Sequence, residues 1–224
     1  DCKDRISGGK MSVLKSSLGI LLSTDAQFEF KNLAQDPKSS FGKIMLINLE
    51  DYKYKVFSSG HRNPMGLFVQ DNLILETEHG PCGGDEINLI KKDKNYGWPK
   101  MSMGDDYIFC KDFDNRKKYS HSKNNTDKSK FIDPIYSFVP SIGISSIIKI
   151  PNTFSPYWQD NYFVASLNGQ SLYRIKFDLN FKKILFIEKI FIGDRIIDIK
   201  FDEKNNHFLL ALELRGRLGE LSVQ

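Results

Sequence analysis

Short apolar segments broken by turn residues constrain this chain more than any other feature. GKIMLINLE at 42–50 alternates apolar and polar residues after a glycine. NLILETE at 72–78 follows the turn-like pair Gln70-Asp71, and EINLI at 86–90 ends in the charged run KKDKN. NYFVASL at 161–167 and QSLYRIKFD at 170–178 flank Asn168-Gly169, a hairpin signal because both residues tolerate positive φ. KKILFIEKIFI, RIIDIKFD, HFLLALEL and RLGELSV follow. Runs of about four to eight residues rich in Ile, Phe, Val and Tyr are strand-like, and no segment holds a helical period over a dozen residues. Many short strands at regular spacing predict an all-β sandwich, barrel or propeller. The last stretch, 193–223, reads strand, turn, strand, turn, strand, the pattern of a meandering propeller blade. At roughly 40–50 residues per blade, the chain has room for four or five.

Composition narrows the class. The 224 residues are 40% hydrophobic and 27% charged, an ordinary soluble balance. With 32 basic against 28 acidic residues the net charge is only +4, and the lysines are spread out. A nucleic-acid footprint would cluster them, so no nucleic-acid partner is expected. No apolar run approaches the roughly 18 residues that span a membrane. MSVLKSSLGILLSTDAQ, from Met11, has the flavour of a secretory leader, but its core LGILL is too short and reads better as a buried strand. A chain that opens on Asp1 is expected to be a processed product or a piece of something longer. Cys2, Cys82 and Cys110 have no CxxC spacing, so they allow at most one disulfide and argue against a zinc site.

Two stretches depart from the strand pattern. Residues 104–133 are polar and long, an insertion of the kind that is either functional or mobile. EHGPCGGDEIN at 78–88 packs three glycines, a proline, a histidine and acidic groups into one connection.

GHRNPMG at 60–66, EHGPCGGDEINLI from 78 and KNYGWP at 94–99, in that order and spacing, closely resemble the soluble pyrroloquinoline quinone (PQQ)-dependent sugar dehydrogenases, the glucose/sorbosone or aldose sugar dehydrogenase family. PIYSFVPSIGISS at 134–146, FVASLNGQSLYRI at 163–175 and FIGDRIIDI at 191–199 extend the resemblance, as do SGGK at 7–10 and FGKIMLINL upstream. It covers nearly the whole chain. It implies one domain over 1–224, a β-propeller of the six-bladed type that is here partial, with about four blades. It also implies a periplasmic or secreted protein. A missing blade leaves strand edges that a partner, or the absent blades, would close.

The resemblance also implies chemistry. The family oxidises an aldose at its anomeric carbon, passing hydride to PQQ while a histidine takes the hydroxyl proton and calcium polarises the cofactor. The histidine's position is filled by Ile6, before the Gly8-Gly9-Lys10 turn, and isoleucine cannot accept a proton. The acid that orients the base falls at Asp25, which could equally be a turn former. Arg62 and Asn63 match the pair on the quinone side. Their plainer reading is a buried structural bond and a cap before Pro64. The cofactor's calcium takes the backbone carbonyls of Gly80 and Pro81, and a second calcium takes Glu86 and Tyr96. The plainer reading of this loop is a glycine-rich strand connection with Glu86 solvated. Tyr136 keeps part of an aromatic platform, with Phe138 and Val139 where a tryptophan is expected. A family lysine becomes Asn168, and of two paired arginines Arg195 is kept while the other is Ile197. Arg195 could reach the cofactor or pair with Asp194 or Asp198.

Ile6, Asn168 and Ile197 each remove a polar or charged group, which puts turnover in doubt. The expected reading is therefore a PQQ- and calcium-dependent sugar dehydrogenase-like protein acting on a small-molecule sugar with an unidentified electron acceptor. The alternative is a non-catalytic, calcium-stabilised propeller that binds a sugar or a protein.

Overall fold

The computed structural model describes residues 8–105 and 127–223. Ile6, Cys2, Cys110 and most of the 104–133 insertion lie outside them. Among the described residues there are sixteen β-strands and only short 3-10 segments, the longest over Phe28–Gln35. None is a helix long and apolar enough to cross a membrane.

The chain divides into two compact units, Asp1–Ser141 and Ile142–Gln224. In the first, β1 (Met11–Leu14), β2 (Gly19–Ser23), β3 (Lys43–Asn48) and β4 (Tyr54–Ser59) form an antiparallel meander. The two-residue β8 (Lys94–Asn95) joins β4 in parallel. The second sheet of this unit runs β5 (Pro64–Gln70), β6 (Leu73–Glu78), β7 (Asp85–Leu89), β9 (Tyr136–Phe138). The LGILL segment is strand β2, whose residues alternate buried and half-buried. Leu21, Ile44, Leu46 and Phe57 from the first sheet meet Ile74 from the second around Tyr96, making one apolar core.

The second unit holds β10 (Ile144–Lys149), β11 (Asn161–Ser166), β12 (Ser171–Phe177) and β13 (Ile184–Phe191) in one antiparallel sheet. The meander read at 193–223 forms the other, from β14 (Ile196–Asp202), β15 (His207–Leu212) and β16 (Arg217–Leu221). Phe154, Phe163 and Phe208 pack edge to face with centroids 4.8–6.5 Å apart, which suits the quadrupoles of aromatic rings.

The hairpin read at Asn168-Gly169 is present, but its turn is different. Positive φ falls on Gln170, at 48°, and the Gly169 N–H donates to the Ile142 carbonyl at 2.8 Å. Glycine is needed at 169 for space: a Cβ there would lie 2.6 Å from Ser166 Oγ.

Candidate functional site

Strand β6 carries the site's acidic residues. Successive strand side chains point to opposite faces, so Glu76 and Glu78 share a face with Ile74. Ile74 is in the core, and both glutamates are buried with it, 0% and 4% exposed. Strand β7 pairs with β6 in a register that sets Glu86 opposite Glu78 and Asn88 opposite Glu76. The Asn88 amide Nδ2 donates to Glu76 Oε2 at 3.0 Å and to Glu86 Oε2 at 3.3 Å. Asp85, also buried, accepts the Gly80 N–H at 3.1 Å and so closes the loop between the strands.

That loop is very tight. A Cβ on Gly80 would sit 2.0 Å from the Gly83 carbonyl oxygen, and one on Gly84 2.1 Å from the Gly104 nitrogen. Gly84 also has φ +67°, a conformation that L side chains rarely adopt. Cys82, at the loop's tip, is disulfide-bonded.

Arg62 enters from the segment before β5. Its backbone N–H donates to Glu78 Oε2 at 2.8 Å and its Nη1 to the His79 carbonyl at 2.6 Å. Its guanidinium carbon lies 5.4 Å from the centre of the Trp98 ring. Trp98 Nε1 donates to the Ala26 carbonyl at 2.7 Å, and the Ala26 N–H donates to Arg62 O at 2.8 Å. Asp25 is thereby held one residue from this junction, with its carboxylate accepting from Gln27 Nε2 at 3.3 Å. Asn63 is 1% exposed and its Oδ1 accepts the Gly8 N–H at 2.9 Å.

Arg62, Glu78, Gly80, Glu86 and Tyr96 line one small cavity with Trp98. The structure thus gathers most of the residues read as the metal loop, together with Arg62. Pro81 adjoins them in the loop, and Tyr136 lies on β9, paired with Ile87 beside Glu86. Tyr136 is 37% exposed, with its ring edge-on to Phe138. Arg195 belongs to the other unit and is ion-paired with Glu213, not with either neighbouring aspartate. Glu86 is not solvated; it is 8% exposed.

Burial raises the pKa of all three glutamates, Glu86 to about 7, because a carboxylate loses its hydration there. The three glutamates lie together on β6 and β7, and the charge of Arg62 acts on Glu78. Such a set must be protonated or hold cations. Glu76 Oε1 and Asn88 Oδ1 are buried with no hydrogen-bond partner, so oxygen lone pairs remain unspent. The carboxylate of Glu86 and the carbonyls of the glycine-rich loop are hard oxygen donors that fit calcium. The Tyr96 hydroxyl donates to the Leu89 carbonyl and accepts the Lys91 N–H, so its main-chain carbonyl is the atom it can offer a metal.

A model of the glucose/sorbosone dehydrogenase family matches residues 3–220. The chain belongs to that family. It is 28% identical over 176 residues to the aldose sugar dehydrogenase YliI of Escherichia coli, covering 75% of this chain and 44% of that protein. A solved glucose dehydrogenase aligns with a TM-score of 0.82 at 22% identity, over 99% of this chain and 67% of that one. The PQQ-bound aldose sugar dehydrogenase of Streptomyces coelicolor aligns with a TM-score of 0.68 at 22% identity, over 97% and 62%. The chain spans less than half the length of the curated relatives it matches.

Family membership accounts for the glycine-rich loop, but Glu76 and Glu78 were not singled out from the sequence. A signal was there to find: two acidic residues at i and i+2 in NLILETE, on the face that also carries Ile74.

Proposed function

We propose that this chain is the calcium-loop portion of a PQQ- and calcium-dependent aldose dehydrogenase that oxidises its sugar at the anomeric carbon. Each of its four sheets is read as one blade of a partial six-bladed-type propeller. The observation that carries the reading is the cavity where Arg62, Gly80, Glu86 and Tyr96 meet. When bound, PQQ accepts the hydride and calcium stabilises charge on the quinone oxygens.

The chain's own residues do the positioning. The carbonyls of Gly80 and Pro81 would hold the calcium that meets the cofactor, and the Glu86 carboxylate with the Tyr96 carbonyl would hold a second, while Asp85 ties the loop shut. Arg62, braced by the His79 carbonyl and the Trp98 ring, presents a fixed cation to quinone or carboxylate oxygens. We assign Asn63 and Tyr136 to the cofactor and Asp25 to the catalytic side, although none of the three lines that cavity. A disulfide at Cys82 suits an oxidising compartment, periplasmic or secreted.

A second reading, a calcium-stabilised module that binds a sugar or protein without turnover, is favoured by the Arg195–Glu213 ion pair. A cation already paired is a poorer ligand for an acidic cofactor. Ile6, outside the described residues, points the same way because it cannot take a proton.

The test is to add PQQ and calcium to the purified protein and assay an aldose with a dye acceptor. Turnover that needs both additions and is lost in Arg62→Ala supports the enzyme. Absence of turnover with retained calcium-dependent stabilisation supports the binding module.

A further inference from the structure

Beside the calcium loop, and sharing Glu78 with its cavity, lies a second donor set. His61, Glu76 and Glu78 bring one ligand atom each to within 4.8 Å of one another, and all three are buried. Nε2 of His61 lies 2.8 Å from Ser58 Oγ, while Nδ1 is buried with no hydrogen-bond partner and 4.0 Å from Glu78 Oε2. Glu76 Oε1 is buried and unpartnered as well.

We propose that His61 Nδ1, Glu76 and Glu78 form a buried site for a divalent transition metal of the zinc class, distinct from the calcium loop. A buried imidazole nitrogen without a partner forfeits hydrogen-bond energy, and a metal ion satisfies it directly. The Ser58 hydroxyl can accept the Nε2 proton, which fixes the tautomer with its lone pair on Nδ1, as outer-shell partners do for metal-bound histidines. Asn88 plays the corresponding part for Glu76 by donating to Oε2, leaving Oε1 for the metal. The ring is held from the other side by Tyr96, stacked at 4.8 Å.

Ligand type separates this site from its neighbour. Imidazole nitrogen suits zinc, iron or cobalt, whereas calcium prefers an all-oxygen shell. Metal–ligand bonds of about 2.0–2.2 Å span roughly 4 Å across a wide angle, close to the His61–Glu78 gap. Small rotations of Glu76 close the remaining distance. Charge is consistent too: two carboxylates and a neutral imidazole match one dication, while Glu86 stays with the calcium loop.

Cobalt(II) is the probe, titrated into the whole chain held in millimolar calcium. One equivalent binds with a visible d–d band, zinc displaces it, and proton NMR shows hyperfine-shifted imidazole signals. Glu76→Gln, nearly isosteric, weakens cobalt binding by roughly 100-fold or more, beyond the 10–100-fold typical of an outer-shell change. Circular dichroism checks that this variant folds; if it does not, the wild-type band and NMR signals decide. The proposal is overturned by no band in the wild type, by a band that excess calcium abolishes, or by a band without imidazole signals. It is also overturned by a folded Glu76→Gln variant that binds cobalt as tightly as wild type. None of these outcomes depends on sugar turnover.

Discussion

Glu78 Oε2 accepts the backbone N–H of Arg62 at 2.8 Å, so the acidic strand β6 itself holds the main chain that carries the guanidinium. Replacing this buried acceptor with alanine orphans the N–H and leaves Arg62 less tightly placed. Glu78→Ala is expected to lose about 2–4 kcal/mol of stability in urea unfolding, combining an unmet donor with a cavity.

Calcium should raise the melting temperature of the protein, because it binds a loop that exists only in the folded state. At a hundredfold excess over its dissociation constant the gain is about 2.7 kcal/mol. Glu86→Gln removes the loop's metal-facing carboxylate and should abolish most of the shift. Differential scanning fluorimetry with calcium and with EDTA reads both; an unchanged shift in the variant would move calcium elsewhere.

Metal-free protein should become less stable as pH rises from about 4.5 towards 7. The folded pKa of Glu86 is pushed up to about 7 by burial, and those of Glu76 and Glu78 also rise. A raised folded pKa means the folded state keeps protons that the unfolded state releases, so the contribution is full below the unfolded value of about 4.5 and is lost through the folded one. Each such group contributes up to about 1.4 kcal/mol per pH unit. His61 opposes this. Burial lowers its pKa to about 3, so its contribution is present above 6.5 and falls as pH drops. Three carboxyls outweigh one imidazole. Calcium should flatten the slope and release protons on binding, measurable by calorimetry in buffers of different ionisation enthalpy.

Lys43 is 1% exposed, and its ammonium donates to the carbonyls of Leu33, Ala34 and Phe41 at 2.8–2.9 Å. Those carbonyls belong to the segment that follows Asp25. Lys43→Met should cost about 2 kcal/mol by denaturant unfolding, since three carbonyls lose the ammonium they share, although Leu33 and Ala34 still accept the Asp36 and Gly60 N–H groups.

Gly84→Ala should leave the protein folded and abolish calcium-dependent stabilisation. The added methyl meets the main chain of Gly104, and φ +67° disfavours alanine independently. Full retention of the calcium shift would show that the loop's shape is not what binds the metal.

Most strands were legible because alternation and turn residues are local signals. GKIMLINLE became β3, and the 193–223 meander became the sheet of β14, β15 and β16. Strand β8 was hidden. Two residues inside the charged run KKDKN carry no period, and their place is fixed from afar, by Asn95 bonding Gln35 sixty positions away. The buried role of Glu76 was equally hidden, because acidic residues in a strand ordinarily face water. Its neighbours Asn88 and Glu86 arrive from another strand.

The sequence by itself determined the family and the strand pattern, since those rest on local preferences and on residue spacing. Tertiary structure decided that Glu78 and Glu86 line one small cavity with Arg62, with Glu76 and Asp85 buried on the same pair of strands. It also decided that Arg195 is paired with Glu213 and that His61 keeps a bare nitrogen toward Glu78. The physical reason is that burial and charge pairing depend on which strands lie side by side, and sheet register is a long-range property that no local stretch encodes alone.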